Sequence, residues 1–240
     1  MSALSDKYER DVAENVNKIP GVTATRPPGD TAYADVKITY KNVTSWMEVK
    51  MNHTDNLSNP RVFYNNGRWS TTYDTPAAKA AVEILNASPM AKKFLKDIAA
   101  FSGIPLKSLK IPTTKSGLRE PGAVPLQVMK SYFDQPGINR YIANSVNMDL
   151  GKVVTDHYTQ GKAEPAYYMQ AADDFYRISN KDPFKLGTSI PLLSGTGDFK
   201  VRVSTRSEFY EVQAEIKIQN MPDSRYSVKP GTRKLNPFLK

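Results

Sequence analysis

Two strand-like segments of this chain, 34–40 and 43–51, are separated by only two residues, Lys41 and Asn42. So short a break allows a tight antiparallel hairpin, and a tight hairpin fixes the register of both strands. Tyr40 then pairs with Val43, Ile38 with Ser45, and Val36 with Met47, which makes one face largely apolar. The opposite face pairs Thr39 with Thr44, Lys37 with Trp46, and Asp35 with Glu48, and Lys50 lies on that face as well. Residues opposite one another in such a ladder have Cβ atoms ~5 Å apart, so the register predicts two carboxylates side by side. Like charges so placed destabilise a sheet unless a cation lies between them, and a divalent metal ion meets that need. A solvated strand face is the alternative.

Upstream, Tyr8, Val12, Val16 and Ile19 recur at helical spacing, with Ser5 as a cap and Pro20-Gly21 as a stop. Glu9 precedes Val12 and Val16 on the buried side of that helix, where an unpaired carboxylate is costly. A strand at 22–25 and the breaker run Pro27-Pro28-Gly29-Asp30 lead into the hairpin, giving the order helix, strand, strand, strand. The chain has no cysteine, which excludes disulfides, thiol nucleophiles and cysteine-bound zinc or iron–sulfur centres. Its two histidines, His53 and His157, are far apart in sequence. Any catalytic metal is therefore expected on carboxylate oxygens, a donor set suited to Mg²⁺ or Mn²⁺.

The run Tyr8-Glu9-Arg10-Asp11, then Pro20-Gly21-Val22, Ala34-Asp35-Val36 and Trp46-Met47-Glu48-Val49-Lys50 resembles the PD-(D/E)xK nuclease superfamily. Within it the archaeal Holliday junction resolvases are the most similar group. The resemblance covers residues 5 to 52, and Ala34 stands where the family often has proline. It implies an α/β, restriction-endonuclease-like core with an N-terminal helix and a mixed central sheet. It also implies that Glu9, Asp35 and Glu48 bind Mg²⁺ and that Lys50 orients or activates the attacking water. Phosphodiester hydrolysis needs a nucleophile from water and neutralised phosphoryl oxygens, and these residue types can supply both around an ion.

The remainder of the chain is unmatched. The polar stretch 52–75 reads as a long surface loop; helices are expected at 76–85, 90–101, 126–133, 138–148 and 165–178. β-rich segments at 189–193, 199–204 and 209–218 suggest a C-terminal antiparallel region ending in a basic coil at 228–240. The expected organisation is a nuclease core at 1–102 and a helical and β-rich extension at 103–240. A second Glu-x-Lys, Glu215-Ile216-Lys217, follows Asp198; it reads as a solvated face, with Val212, Ala214, Ile216 and Ile218 turned inward. Asp173-Asp174 falls in a predicted helix, where Tyr167, Tyr168, Phe175 and Tyr176 are expected to pack.

The net charge is +9 with a pI near 9.5, which favours a polyanionic partner. Segment 92–119 carries seven basic groups, Lys92, Lys93, Lys96, Lys107, Lys110, Lys115 and Arg119, against the single acid Asp97. With Arg61 and Arg68 beside Trp69 in the long loop, these are the predicted nucleic-acid contacts. DNA is the expected partner, RNA is not separated from it, and a homodimer is expected if both strands are cut. No apolar run long enough for a membrane span occurs, and the N-terminus is charged where a secretion signal would be apolar, so a cytoplasmic protein is expected. Two functions remain: a Mg²⁺-dependent endonuclease of restriction, homing or junction-resolving type, and a non-catalytic nucleic-acid-binding or assembly protein with a structural carboxylate face.

Overall fold

The computed structural model describes residues 3–27, 34–160 and 164–239, with the backbone alone for 146–148. Gly29 and Asp30 of the breaker run lie outside the described residues. Helix α1 (Ala3–Asn17) buries Glu9, Val12, Ala13 and Val16. It starts before Ser5, which is therefore a helical residue and not the cap. Strands β1 (Val22–Thr25), β2 (Val36–Tyr40) and β3 (Val43–Lys50) follow as an antiparallel meander. Lys41 and Asn42 have φ of 48° and 62°, the left-handed pair that a two-residue hairpin turn requires. The resulting register pairs Tyr40 with Val43, Ile38 with Ser45 and Val36 with Met47, as the alternation predicts.

The other edge of β3 is taken by a strand from far downstream. β7 (Ala166–Ala171) pairs with it in parallel, and β8 (Asp174–Arg177) adds on antiparallel, giving the sheet order β1-β2-β3-β7-β8. A parallel neighbour needs a crossover, and helix α5 (Leu150–Thr159) immediately precedes β7 on that path. Two expected helices are thus corrected: 165–178 is the β7–β8 hairpin, and 138–148 lies largely in strand β6 (Tyr141–Asp149). β7 and β8 are largely covered on both faces, so their sequence shows no period-two alternation to separate strands from a helix. Ala172, with a left-handed φ of 49°, turns the hairpin where a helix would have continued. Val12 and Val16 of α1 share one core with Val36, Ile38, Met47, Val49, Tyr168 and Phe175, so α1 covers the apolar hairpin face.

The chain divides into two compact units, one of residues 1–55, 149–196 and 218–240, the other of 56–148 and 197–217. This differs from the expected split at 102: the second unit takes 56–148 and 197–217, while α5 and β7 belong with the hairpin in the first. In the second unit, β4 (Arg61–Asn65) and β5 (Arg68–Ser70) form a hairpin through Asn66-Gly67, at φ of 51° and 77°. The expected 52–75 loop is corrected there, and the Asn-Gly dipeptide is the signal that marks it. Helices α2 (Pro76–Ala87), α3 (Pro89–Ser102) and α4 (Leu126–Phe133) match expectation, with Thr75 and Ser88 capping the first two. With β9 (Thr196–Thr205) and β10 (Tyr210–Gln219), the second sheet has the order β5-β4-β10-β9-β6. The expected strand at 189–193 is reduced to a bridge between Arg177 and Leu192. The C-terminal coil is anchored, since Val228 and Phe238 belong to the core of the first unit. Among the described residues, no helix is long and apolar enough to cross a membrane.

Lysine and asparagine accept the left-handed turn at a cost that asparagine and glycine would lower. The double substitution Lys41→Asn with Asn42→Gly should stabilise the fold by about 1 kcal/mol. Denaturant unfolding checks this, through a raised midpoint at an unchanged slope.

Candidate active site

Asp35 immediately precedes β2, and continuing the register one position beyond Val36 and Met47 brings it to Glu48. Asp35 Oδ2 accepts a hydrogen bond from the Val49 backbone N–H at 2.8 Å, which ties the carboxylate to β3. Glu48 is 7% exposed on the central strand and cannot stay charged there without donors. It has two, both on Oε1: Lys50 Nζ at 2.6 Å and the Tyr158 hydroxyl at 3.0 Å. Tyr158 arrives from α5, on the sheet face opposite to the one α1 covers. The sequence reading missed it, although Leu150, Val154 and Tyr158 recur every four residues behind Asp149, which caps the helix by accepting from the Lys152 N–H.

The charges of these groups answer one another. Burial, then the negative charge of Glu48, raise the Asp35 carboxyl to about 8, against the opposing pull of Lys50. Burial works against the Lys50 ammonium, but Glu48, Tyr158 and Asp35 together hold its pKa above the ordinary lysine value. Lys50 is therefore a fixed cation and a hydrogen-bond donor in this arrangement, not a ready base.

Glu9 is buried as its helical position predicts, and its partner is Arg26, whose Nε donates to Oε2 at 2.8 Å. The same guanidinium reaches Asp6 at 2.5 Å, and Arg10 also pairs with Asp6. Arg26 lies just beyond β1 beside Pro27, with no spacing signal to single it out. The negative charge of Glu9 is among those that raise the Asp35 carboxyl, so the two are electrostatic neighbours. Asp35, Glu48 and Lys50 are brought together directly, while Glu9 adjoins them through Arg26. Among the described residues, no three His, Asp or Glu side chains gather as a complete metal cage. The donor chemistry still fits Mg²⁺, which keeps several waters and commonly takes only one or two protein carboxylates. The contacts just described leave Glu48 Oε2 and Asp35 Oδ1 outside them.

The predicted nucleic-acid contacts all lie in the second unit. Arg68 on β5, Lys92 and Lys96 on α3, Lys107 and Arg119 are exposed, without an ion pair among the described residues. Arg61 pairs with Glu211 at 3.2 Å, Lys93 with Asp97 at 2.5 Å, Lys110 with Glu120 at 2.9 Å, and Lys115 with Glu208 at 2.6 Å. Trp69 is buried in the core and Tyr64 packs against it.

The rival Glu215 is not on a solvated face: Glu211, Gln213 and Glu215 are all buried. Arg202 holds Glu215 at 2.6 Å with the Tyr141 hydroxyl at 3.1 Å, and Arg206 joins Arg61 on Glu211. The arginines lie over the carboxylates with long apolar stems, which explains how a polar row becomes buried. Lys217 is exposed at the end of the row. Asp174, expected on a helix, starts β8 and is buried with Lys234 at 2.6 Å and His53 Nε2 at 2.7 Å.

No family model matches the chain, and no curated protein matches it. Among solved structures it is similar to the HhaI endonuclease in complex with DNA, at 11% identity and a TM-score of 0.26, over 90% of this chain and 86% of that one. A similarity at that level establishes no shared fold.

Because the folded-state pKa of Asp35 is raised to about 8 from an ordinary 3.8, the folded protein holds a proton there that the unfolded chain releases. Stability then falls as pH rises from about 4 towards 8 and levels off above. Asp35→Asn removes that dependence. In EDTA, its melting temperature should exceed that of the wild type by a margin that widens between pH 5 and 8. A constant margin would show that Asp35 titrates normally.

Proposed function

We propose that the protein is a Mg²⁺-dependent endonuclease that hydrolyses phosphodiester bonds of DNA, of the restriction, homing or junction-resolving type. The observation that carries this reading is the cross-strand pair Asp35 and Glu48 with the Lys50 ammonium seated on Glu48. Asp35 and Glu48 would hold the ion, and Glu9 would join them on exchanging Arg26 for it. Bound Mg²⁺ supplies charge neutralisation at the phosphate and a more acidic water. Lys50, kept protonated, donates to the attacking water or to a phosphoryl oxygen and so orients the one against the other. The exposed Arg68, Lys92, Lys96, Lys107 and Arg119 supply backbone phosphate contacts, which set affinity and not the chemistry. A homodimer accounts for cleavage of both strands.

A second reading has one observation in its favour. Glu9 and Glu48 each already have a cation, Arg26 and Lys50, as a purely structural ion-pair network would show. The protein is then a non-catalytic DNA-binding or assembly module. The two readings part on Asp35→Asn and Glu48→Gln, which keep side-chain size while removing a charged oxygen. Under the enzymatic reading, each lowers cleavage of plasmid or branched DNA in Mg²⁺ by at least about a hundredfold, while binding in EDTA is retained. Asp11→Asn, on the exposed side of α1, serves as the control and should cleave normally. A wild type without cleavage on plasmid, branched DNA and RNA substrates would favour the binding module.

Binding itself should follow counterion release. Replacing Lys92, Lys96 and Lys107 together by glutamine should reduce the slope of log affinity against log salt by about two to three. Filter binding or fluorescence anisotropy from low to high salt measures this, and an unchanged slope would place the DNA contacts elsewhere.

A further inference from the structure

Tyr158 stands apart from the residues that the sequence pattern singles out. It comes from α5, an element far from the hairpin in sequence, and it is 4% exposed. A buried tyrosine hydroxyl requires a partner, and a backbone carbonyl would serve for packing purposes. This hydroxyl instead donates to Glu48, at the same Oε1 that Lys50 holds.

We propose that Tyr158 is a positioning residue of this site, whose hydroxyl, with Lys50, locks the Glu48 carboxylate so that Oε2 is the oxygen offered to a divalent cation. The proposal rests on the nuclease reading above and deepens it. The final torsion of a glutamate is broad, so a carboxylate held by one donor can rotate and exchange its oxygens. Two donors from different directions on one oxygen remove that freedom. Lys50 comes from the same strand two residues on, whereas Tyr158 comes from a separate helix, so the pair clamps the group from two elements. A carboxylate that is already oriented loses less freedom on taking up an ion, and hydrogen-bond partners of metal ligands commonly change affinity tenfold to a hundredfold.

Tyr158→Phe removes only the hydroxyl. Mn²⁺ is the probe, its free concentration read by electron paramagnetic resonance on the full chain without DNA. We expect about a tenfold or greater loss of Mn²⁺ affinity in Tyr158→Phe. Cleavage at saturating DNA should fall in kcat with KM for DNA unchanged. Replacing Tyr158 by p-aminophenylalanine, which keeps an N–H donor on the ring, should restore both. Asp35→Asn reports on the underlying reading. If wild type binds Mn²⁺, Asp35→Asn does not, and Tyr158→Phe binds like wild type, the positioning role is overturned while the nuclease reading stands. If wild type binds no Mn²⁺, both fall. Should Tyr158→Phe fail to fold, the p-aminophenylalanine variant decides, and a folded variant with lost affinity overturns the proposal.

Discussion

A charged glutamate on the central strand of a covered sheet has to be neutralised where it stands, and much of the first unit follows from that requirement at Glu48. Its face is enclosed because β3 has strands on both edges and a helix over each side. With so little of Glu48 exposed, most of its hydrogen bonds have to come from protein donors. Lys50 is the nearest residue on the same face, two positions along the strand. Tyr158 reaches in from α5, which has to lie over this face to connect with β7. The hairpin turn at Lys41 and Asn42 then fixes what stands opposite, and that is a second acid.

Asp35 makes the arrangement unbalanced. One ammonium against two carboxylates leaves surplus negative charge, and without a further cation the surplus is relieved by a proton, as the raised Asp35 carboxyl records. The same surplus holds the proton on Lys50. Under the proposed metal-dependent reading, an ion would take the place of that proton and of the charge deficit it relieves. Glu9 on α1 obeys the same rule, with Arg26 carrying the compensating charge.

What could be read from the sequence follows the range of the interactions involved. The α1, β1, β2 and β3 succession and the Asp35–Glu48 juxtaposition were legible because a two-residue turn and a period-two pattern fix them locally. So were α2 and α3, the first by the proline at its start and the second by its stop at Ser102-Gly103. The β7–β8 hairpin was misread as a helix because Tyr167, Tyr168, Phe175 and Tyr176 meet cover on both faces, leaving no alternation to see. The polar row Glu211, Gln213 and Glu215 was read as solvated for a related reason: its cover is made of arginines, which are polar in sequence but apolar along their stems. Tyr158 and Arg26 had no signal of their own, since each is defined by a partner that only the tertiary fold brings near.

The interleaving of the two units along the chain has a bearing on how the protein is made. The chain passes between the two units at 55, 148, 196 and 217, so the first unit is completed only from distant pieces. Closing a loop of that length before its contacts form is entropically slow, and a second unit that has already folded shortens the effective span. During synthesis the hairpin that carries Asp35, Glu48 and Lys50 emerges early, yet Glu48 gains its tyrosine only after 110 further residues have been added. The acidic pair is thus held back in an unclamped state until nearly two-thirds of the chain exists, and a growing polypeptide carries the parts of the site well before it carries the site.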